Sequence, residues 1–370
     1  MHLAAAERSY ARASQLMRHT LGHNLSAKTI ERLVNQVGPE LADLQRAEQH
    51  AQQVIAPDVA VVSCDGGRIH TREAGHGPGV HGAKWRETKN ASFERMTAEE
   101  AGDVDPCPAL PDTFRQVAHV AKIADKPAFQ TTDAVEQPRA RYLGPKRILR
   151  TCISSLVRSQ EFGLQMEREA RRRKFHEARR RVFISDGLPW NWSIQREHFA
   201  EFTPILDFIH AVQYLYSAAQ AWESDDPRRW SCYLELTEAV WQGRVGDVIE
   251  ALRGELAARG VAAPEELPED SPHEPLATAT RYLDHNRERM DYPRYRRAGL
   301  PITSAPMESL IKQINLRVKG TEMTWNDPAG AEAILQLRSA SLCEDDRLDA
   351  YLRQRPGCRL TRRPLLATAA

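Results

Sequence analysis

The chain has 370 residues, a length that suits more than one packed unit, and 41% of them are apolar, which is enough to form a sizeable hydrophobic core. Its 51 Lys and Arg and 50 Asp and Glu give a formal net charge of +1, and no stretch approaches the ~20 apolar residues of a membrane helix. The N-terminus lacks the apolar segment of a signal peptide, and six scattered cysteines without a CxxC pair argue against a zinc ribbon or a disulfide framework. We expect a soluble cytoplasmic protein.

The charge is unevenly distributed along the chain. Residues 139–181 hold fourteen basic and four acidic side chains, whereas residues 261–274 are acidic. Segregated charge can bind nucleic acid even when the total is near zero, although a solvated helix face is the ordinary alternative. Within the basic run, Arg171, Arg172 and Arg173 are our candidate DNA contacts.

Residues 1–56 are predicted to be helical, with breaks at Gly22 and Gly38. Ser26 stands where the N-cap of a short helix would lie, and Gly38 would end that helix. This pattern is compatible with the second helix of a helix-turn-helix, and equally with any helical hairpin.

Two strands are predicted next. Residues 59–69 (VAVVSCDGGRI) are apolar and β-branched and run into Asp65, which would stand at the end of a buried strand. Residues 84–96 alternate as a second hairpin strand would. A loop and a helix follow over 97–137, and the pattern over 145–181 is basic and helical.

The strand-then-aspartate pattern recurs in VFISDG (182–187), which ends at Asp186. Residues 204–221 begin like a strand and continue as a helix, and residues 222–297 indicate helices without strands. A proline-bounded loop then leads into a helix near Pro306, with Glu308 in its first turn.

Asp65, Asp186 and Glu308 are the candidate catalytic residues. Carboxylates without Cys or His ligands suit Mg²⁺ or Mn²⁺, and two such ions ~3.5–4 Å apart can promote phosphoryl transfer. Spacing alone leaves open the simpler interpretation that these aspartates only end strands.

The helix after Glu308 carries candidate DNA contacts. Lys312, Asn315 and Lys319 follow the glutamate on one helix face, which would suit a phosphate backbone beside a metal site. An ordinary amphipathic helix would show the same pattern.

Four segments within residues 59–340 carry a family resemblance: VSCDGGRI with its following WRETK, VFISDGLPWNW with HFAEFTPILDFIHA, RYLDHNRERMDYPRYRRAGLPITSAPMES, and ESLIKQINLRVKGTEMTWNDPAGAEAILQLR. They resemble the DDE transposases of bacterial insertion sequences, in the Mutator-like branch and most like its ISKra-type members. The order Asp, Asp, Asp-x-x-His, Glu is typical of that branch.

The resemblance implies an α/β fold: an RNase H-like core, a mixed sheet flanked by helices, with an all-helical insertion between Asp186 and Glu308. The implied units are a helical N-terminal region with a possible helix-turn-helix remnant (1–56), the first part of the core (57–221), the insertion (222–297), the Glu-bearing part of the core (298–345) and a disordered basic tail (346–370).

The resemblance also implies roles. Asp65, Asp186 and Glu308 would bind two Mg²⁺ ions, with Mn²⁺ as a substitute, and Asp207 and His210 would support them. The implied function is DNA cleavage and strand transfer at insertion-sequence ends by a nucleoid-associated homo-oligomer, without a membrane or an organic cofactor.

Two alternatives stay open. A catalytically silent DNA-binding derivative is suggested by the short N-terminal region and by the loop Thr303–Met307, where relatives often have a glycine-rich loop. The other is an RNase H-like nuclease without strand transfer.

Overall fold

A computed structural model describes residues 1–47, 54–72, 82–132, 142–261, 267–268, 270–320 and 323–356. Five strands of these ranges form one sheet: β1 Val59–Arg72, β2 Ala83–Thr97, β3 Lys146–Ser155, β4 Arg180–Ser185 and β5 Thr203–Leu206. The strand order is β3-β2-β1-β4-β5. β1 pairs antiparallel with β2, and β2 with β3, whereas β4 is parallel to β1 and β5 is parallel to β4.

The described helices flank this sheet: α1 His2–Ala6, α2 Tyr10–Leu21, α3 Ala27–Arg46, α4 Val117–Ala124, α5 Ser159–Arg172, α6 Pro189–His198, α7 Phe208–Trp222, α8 Asp226–Trp241, α9 Val245–Ala258, α10 Glu274–Asn286, α11 Tyr292–Arg297, α12 Ala305–Val318, α13 Pro328–Leu342 and α14 Arg347–Gln354. The protein is therefore an α/β protein with a mixed sheet between helices, compatible with the predicted RNase H-like core. None of the helices in the described ranges is long and apolar enough to cross a bilayer.

Two hydrophobic clusters hold the elements together. The larger one joins the strands to α4–α11, and the smaller one joins α1–α3 and α12–α14 to Ile69 of β1 and Cys152 of β3. Helices α8–α11 cover most of the described part of 222–297, which contains no strand, as predicted. They pack in the same cluster as the sheet.

The N-terminal helices follow the sequence prediction only in part. Gly22 ends α2 in a left-handed conformation, and the Ser26 hydroxyl caps α3 by accepting the Thr29 N–H at 3.1 Å. The predicted stop at Gly38 is wrong, because α3 continues to Arg46. A Cβ at Gly38 would lie 2.4 Å from the Cα of Ala333, so this glycine permits close packing of α3 on α13.

Two strand predictions also need correction. β1 does not end at Asp65; it continues to Arg72 because β2 supplies hydrogen-bond partners along its whole length. The helical pattern over 145–181 begins as β3, which pairs with β2, and becomes helical only at Ser159.

The tail predicted to be disordered from residue 346 begins with a helix. α14 buries Leu348, and Arg347 forms an ion pair with Glu169 of α5, which orders this segment. Residues 357–370 lie outside the described ranges.

Candidate active site

The three mutually parallel strands, β1, β4 and β5, each bring a carboxylate to the same edge of the sheet, although β1 continues beyond it to Arg72. Asp186 directly follows β4, and Asp207 directly follows β5. β1 pairs with β4 only as far as Ser63, so Asp65 lies just where that pairing ends. Side chains at the carboxyl ends of adjacent parallel strands face a common crevice, the usual position of a ligand site in such sheets.

Asp65 is partly buried beside other acidic groups. Its Oδ1 accepts the backbone N–H of Gly66 at 2.6 Å. Burial first, and then the charge of Asp186, raise the pKa of Asp65 to about 7, while His210 lowers and Glu308 further raises it. The electrostatic environment of Asp65 thus includes Asp186, His210 and Glu308.

Asp186 is held by its own loop and by α10. Its Oδ1 accepts the Asn191 amide at 2.6 Å and the Leu188 N–H at 3.1 Å, and its backbone carbonyl accepts the Tyr282 hydroxyl at 2.7 Å. The next residue, Gly187, has φ +91°, and a Cβ there would lie 2.9 Å from the Tyr282 ring. The sharp turn after β4 therefore requires glycine and sets the direction of the carboxylate.

Asp207 is fully buried and joins α7 to the start of α12. Its side chain caps α7 by accepting the Ile209 N–H at 2.9 Å, and it accepts the hydroxyl of Ser304 as well. Burial raises the pKa of Asp207, and His210, with Nε2 4.0 Å from Asp207 Oδ2, opposes that rise. Asp207 thus holds the residue that precedes α12 by a hydrogen bond and lies close enough to His210 to interact with its charge.

Glu308 lies in the first turn of α12, as predicted, and its side chain is 36% exposed. Among the described residues, the ligand atoms of Asp207, His210 and Glu308 form a group within 4.8 Å of one another. That group does not include Asp65 or Asp186. Glu308 therefore lies beside Asp207 and His210, whereas Asp65 and Asp186 lie outside that group, near the end of the β1–β4 pairing.

His210 could itself be a metal ligand, a role that the sequence analysis did not assign to it. Its ring nitrogen lies in the same group as the Glu308 carboxylate, so it can itself act as a ligand. The Asp-x-x-His spacing at the start of a helix was the available signal, because positions i and i+3 share a helix face.

The donor set fits a hard divalent cation. It contains four carboxylates and one imidazole, which suit Mg²⁺ or Mn²⁺ better than a soft metal. Burial first, and then the negative charge of Asp186, raise the pKa of Asp65, so positive charge is in short supply beside this carboxylate. A bound cation would supply that missing positive charge.

The candidate DNA contacts beyond Glu308 are accessible to different degrees. Lys312 is 79% exposed, with its Nζ 3.7 Å from Glu308, and Asn315 is half-buried on α12. Lys319 follows the last residue of α12, and its exposed Nζ lies 5.6 Å from the centroid of the Trp85 ring.

The arginines of the basic run differ from the predicted DNA-binding face. Arg171 is exposed and paired with Glu167 at 2.6 Å. Arg172 and Arg173 both bind the buried Glu169 instead. Arg172 also donates to backbone carbonyls at the end of α3, and Arg173 pairs with an aspartate that precedes α14. The structure therefore places Arg172 and Arg173 in internal ion pairs.

No protein-family model matches the sequence, and no curated protein is significantly similar to it.

Proposed function

We propose that this protein is a DDE-type transposase that cleaves DNA and transfers the cut strand at the ends of an insertion sequence. The observation that supports this most is that Asp65 and Asp186 lie on adjacent parallel strands, with Asp65 near enough for the charges of Asp186, His210 and Glu308 to affect its pKa, while Glu308 lies beside Asp207 and His210. In this proposal the sheet is an RNase H-like core, and helices α8–α11 form an insertion between Asp186 and Glu308.

Asp65, Asp186 and Glu308 would hold two Mg²⁺ ions, or Mn²⁺ as a substitute, which activate the attacking oxygen and stabilise the leaving oxygen. The protein's own contribution is to position the ligands. The Asn191 amide and the Leu188 N–H hold one oxygen of Asp186, which leaves its second oxygen for a ligand. Ser304 and Asp207 together fix the first turn of α12 and hence Glu308.

The reaction consists of two displacements at phosphorus. Water attacks a phosphodiester, so that one P–O bond forms, the bond to the 3′ oxygen breaks, and a free 3′-OH results. That 3′-OH then attacks a phosphodiester of the target DNA and releases a second 3′-OH. No covalent enzyme intermediate is needed, and at least two copies of the chain would bring two DNA ends together.

The test uses the purified chain, supercoiled plasmid and a labelled duplex oligonucleotide with a free 3′-OH. We expect nicked plasmid and oligonucleotide joined to plasmid, with Mg²⁺ or Mn²⁺ and not with EDTA. Asp186→Asn and Glu308→Gln should abolish both products, whereas Glu250→Gln, a matched change at an exposed surface pair on α9, should not.

Each possible product pattern has a definite meaning. Nicks without joined product would favour an RNase H-like nuclease. DNA binding without any product would favour the silent derivative. Cleavage that persists in EDTA, or in Asp186→Asn, would contradict the proposed metal centre.

A further inference from the structure

Beyond Asp65 the sheet narrows to a two-stranded ribbon. β1 pairs with β4 only to Ser63, and β2 pairs with β3 only from Lys89 onward. Residues 66–72 and 83–88 therefore pair mainly with each other and extend away from the carboxylates. One edge of the ribbon is covered near its end, where the Arg72 N–H donates to the Trp325 carbonyl at 2.8 Å.

One face of this ribbon combines aromatic rings with cations. Successive strand residues point to opposite faces, so Arg68 and His70 share a face with their cross-strand partners Glu87 and Trp85. We call this surface the ribbon face and define it by six residues, four on the strands and two that flank them: Arg68, His70, Trp85, Lys89, Trp190 and Lys319.

Trp85 is the main feature of the ribbon face. It is 57% exposed, and within the described ranges it is the only aromatic residue among the large exposed hydrophobic residues. Its ring stacks on His70 with centroids 4.7 Å apart, and the Nζ of Lys319 lies 5.6 Å from its centroid. An exposed indole held by a neighbouring ring and approached by a cation is a preformed stacking platform.

The charges of the ribbon face complement a phosphate backbone. Arg68 is exposed, and no ion pair to it is found within the described part of the chain. The one carboxylate on the face, Glu87, is neutralised by Lys89 at 2.6 Å. The Nζ of Lys89 in turn lies 5.1 Å from the centroid of the Trp190 ring. Because Trp190 follows Asp186 by four residues in the chain, the ribbon face extends back toward the strand end that carries Asp186.

We propose that the ribbon face binds a single-stranded stretch of the DNA substrate, with an unpaired base stacked on Trp85. This rests on the proposed function and adds to it the form of the substrate: duplex at the carboxylates and unpaired nucleotides beside them. A duplex alone does not explain the platform, because the bases of a duplex are stacked on one another. Trp85 pairs with His70, five residues beyond Asp65, which places the contact ~16 Å along β1 from Asp65 and, by the same alternation, on the opposite face of that strand.

The experiment compares a blunt duplex with the same duplex carrying a single-stranded oligothymidylate tail, by fluorescence anisotropy in EDTA. The wild-type chain should bind the tailed duplex more tightly. Trp85→Ala should weaken binding of the tailed duplex about tenfold and leave the blunt duplex unchanged, and Trp85→Phe should lose about threefold or less. Lys319→Ala should lower the salt dependence for the tailed duplex by about 0.7 in slope.

Ile148→Ala, which truncates another exposed hydrophobic residue on a strand, is the matched control and should change neither affinity. Equal losses of Trp85→Ala on both duplexes, or no loss on either, would overturn the inference. If the wild type still cuts and joins plasmid DNA in that case, the proposed function survives and only the ribbon face is refuted. If the wild type binds neither duplex, both proposals fail.

Discussion

Two charged regions of this molecule are built in opposite ways. At the sheet edge, burial and then the charge of Asp186 raise the pKa of Asp65. Between α5 and α14, the buried Glu169 binds Arg172, Arg173 and Arg347, and these charges hold its pKa well below the usual range. The Glu169 cluster is compensated from within the chain, whereas in the proposed function a divalent cation compensates the carboxylates at the sheet edge. Charge that a fold leaves without compensation is therefore the better indication of function, and compensated charge the better indication of structure.

The largest effect should come from the compensated cluster. Glu169→Gln leaves three guanidinium groups without their shared carboxylate and should reduce the free energy of unfolding by about 3–5 kcal/mol. Because the folded-state pKa of Glu169 is depressed, its contribution is complete above the usual value of 4.5 and is lost as the pH falls through the folded-state value. Urea unfolding at pH 7 and at a series of pH values from 5 down to 2 measures both effects.

Glu161→Gln is the matched control, because Glu161 lies exposed on the same helix. It should change the free energy of unfolding by less than about 0.5 kcal/mol at any of these pH values. A similar loss in both variants would show that the Glu169 ion pairs contribute little.

A smaller effect of opposite sign is expected at the sheet edge. Asp65→Asn removes a partly buried charge that Asp186 repels, and it can keep the hydrogen bond from Gly66. In EDTA at pH 8 it should raise the free energy of unfolding by about 1–2 kcal/mol, allowing for partial exposure, while it abolishes cleavage.

Thermal unfolding with EDTA and with Mg²⁺ tests this contrast. Mg²⁺ should raise the melting temperature of the wild type and have little effect on Asp65→Asn. A variant that melts below the metal-free wild type would contradict the view that the edge carries uncompensated charge.

A third prediction concerns the positioning of Asp186. Tyr282→Phe removes the hydroxyl that donates to the Asp186 carbonyl but keeps the ring, which stacks on Tyr214 with centroids 3.7 Å apart. We expect kcat for plasmid nicking to fall about fivefold, with KM for DNA unchanged, because the carboxylate is less well held.

Tyr295→Phe provides the comparison. It removes a hydroxyl that donates to the Pro204 carbonyl at 3.3 Å, at the opposite end of β5 from Asp207. Its kcat should match that of the wild type. Equal decreases in both variants would indicate a general loss of packing and not a positioning role.

The smallest expected effects concern exposed cations that we predict to contact DNA, compared with an exposed cation elsewhere on the surface. Arg171 and Lys312 are both exposed and each pairs with a glutamate one helical turn away. Replacing either with Ala should weaken DNA binding about twofold to threefold and reduce the salt slope by roughly 0.9. Arg253→Ala, at a comparable pair on α9, should have no effect, and a loss as large there would mean that binding is nonspecific.

The elements that carry the candidate site could be predicted because their signals are local. An apolar run followed by Asp-Gly marked the end of β4, and proline at the first turn marked the start of α12. The predicted end of β1 at Asp65 was wrong because the remaining strand residues, which include two glycines, have little apolar character. Only pairing with β2 makes them a strand.

The same limit explains the other errors. Gly38 has the local pattern of a helix stop, but its packing against Ala333 decides that α3 continues. β3 lies in a basic run whose charges suggest an exposed helix, yet its last four residues, Cys152 to Ser155, are fully or almost fully buried.

The amino-acid sequence by itself determined that Asp186 follows a strand and that Glu308 lies in the first turn of a helix, since these positions depend on neighbouring residues. The tertiary structure alone decided which charges are compensated. Arg347 reaches Glu169 across 178 residues of chain, and Ser304 reaches Asp207 across 97. Coulomb interactions and hydrogen bonds depend on distance in space, so arginines of the basic run form internal ion pairs and two aspartates far apart in sequence interact.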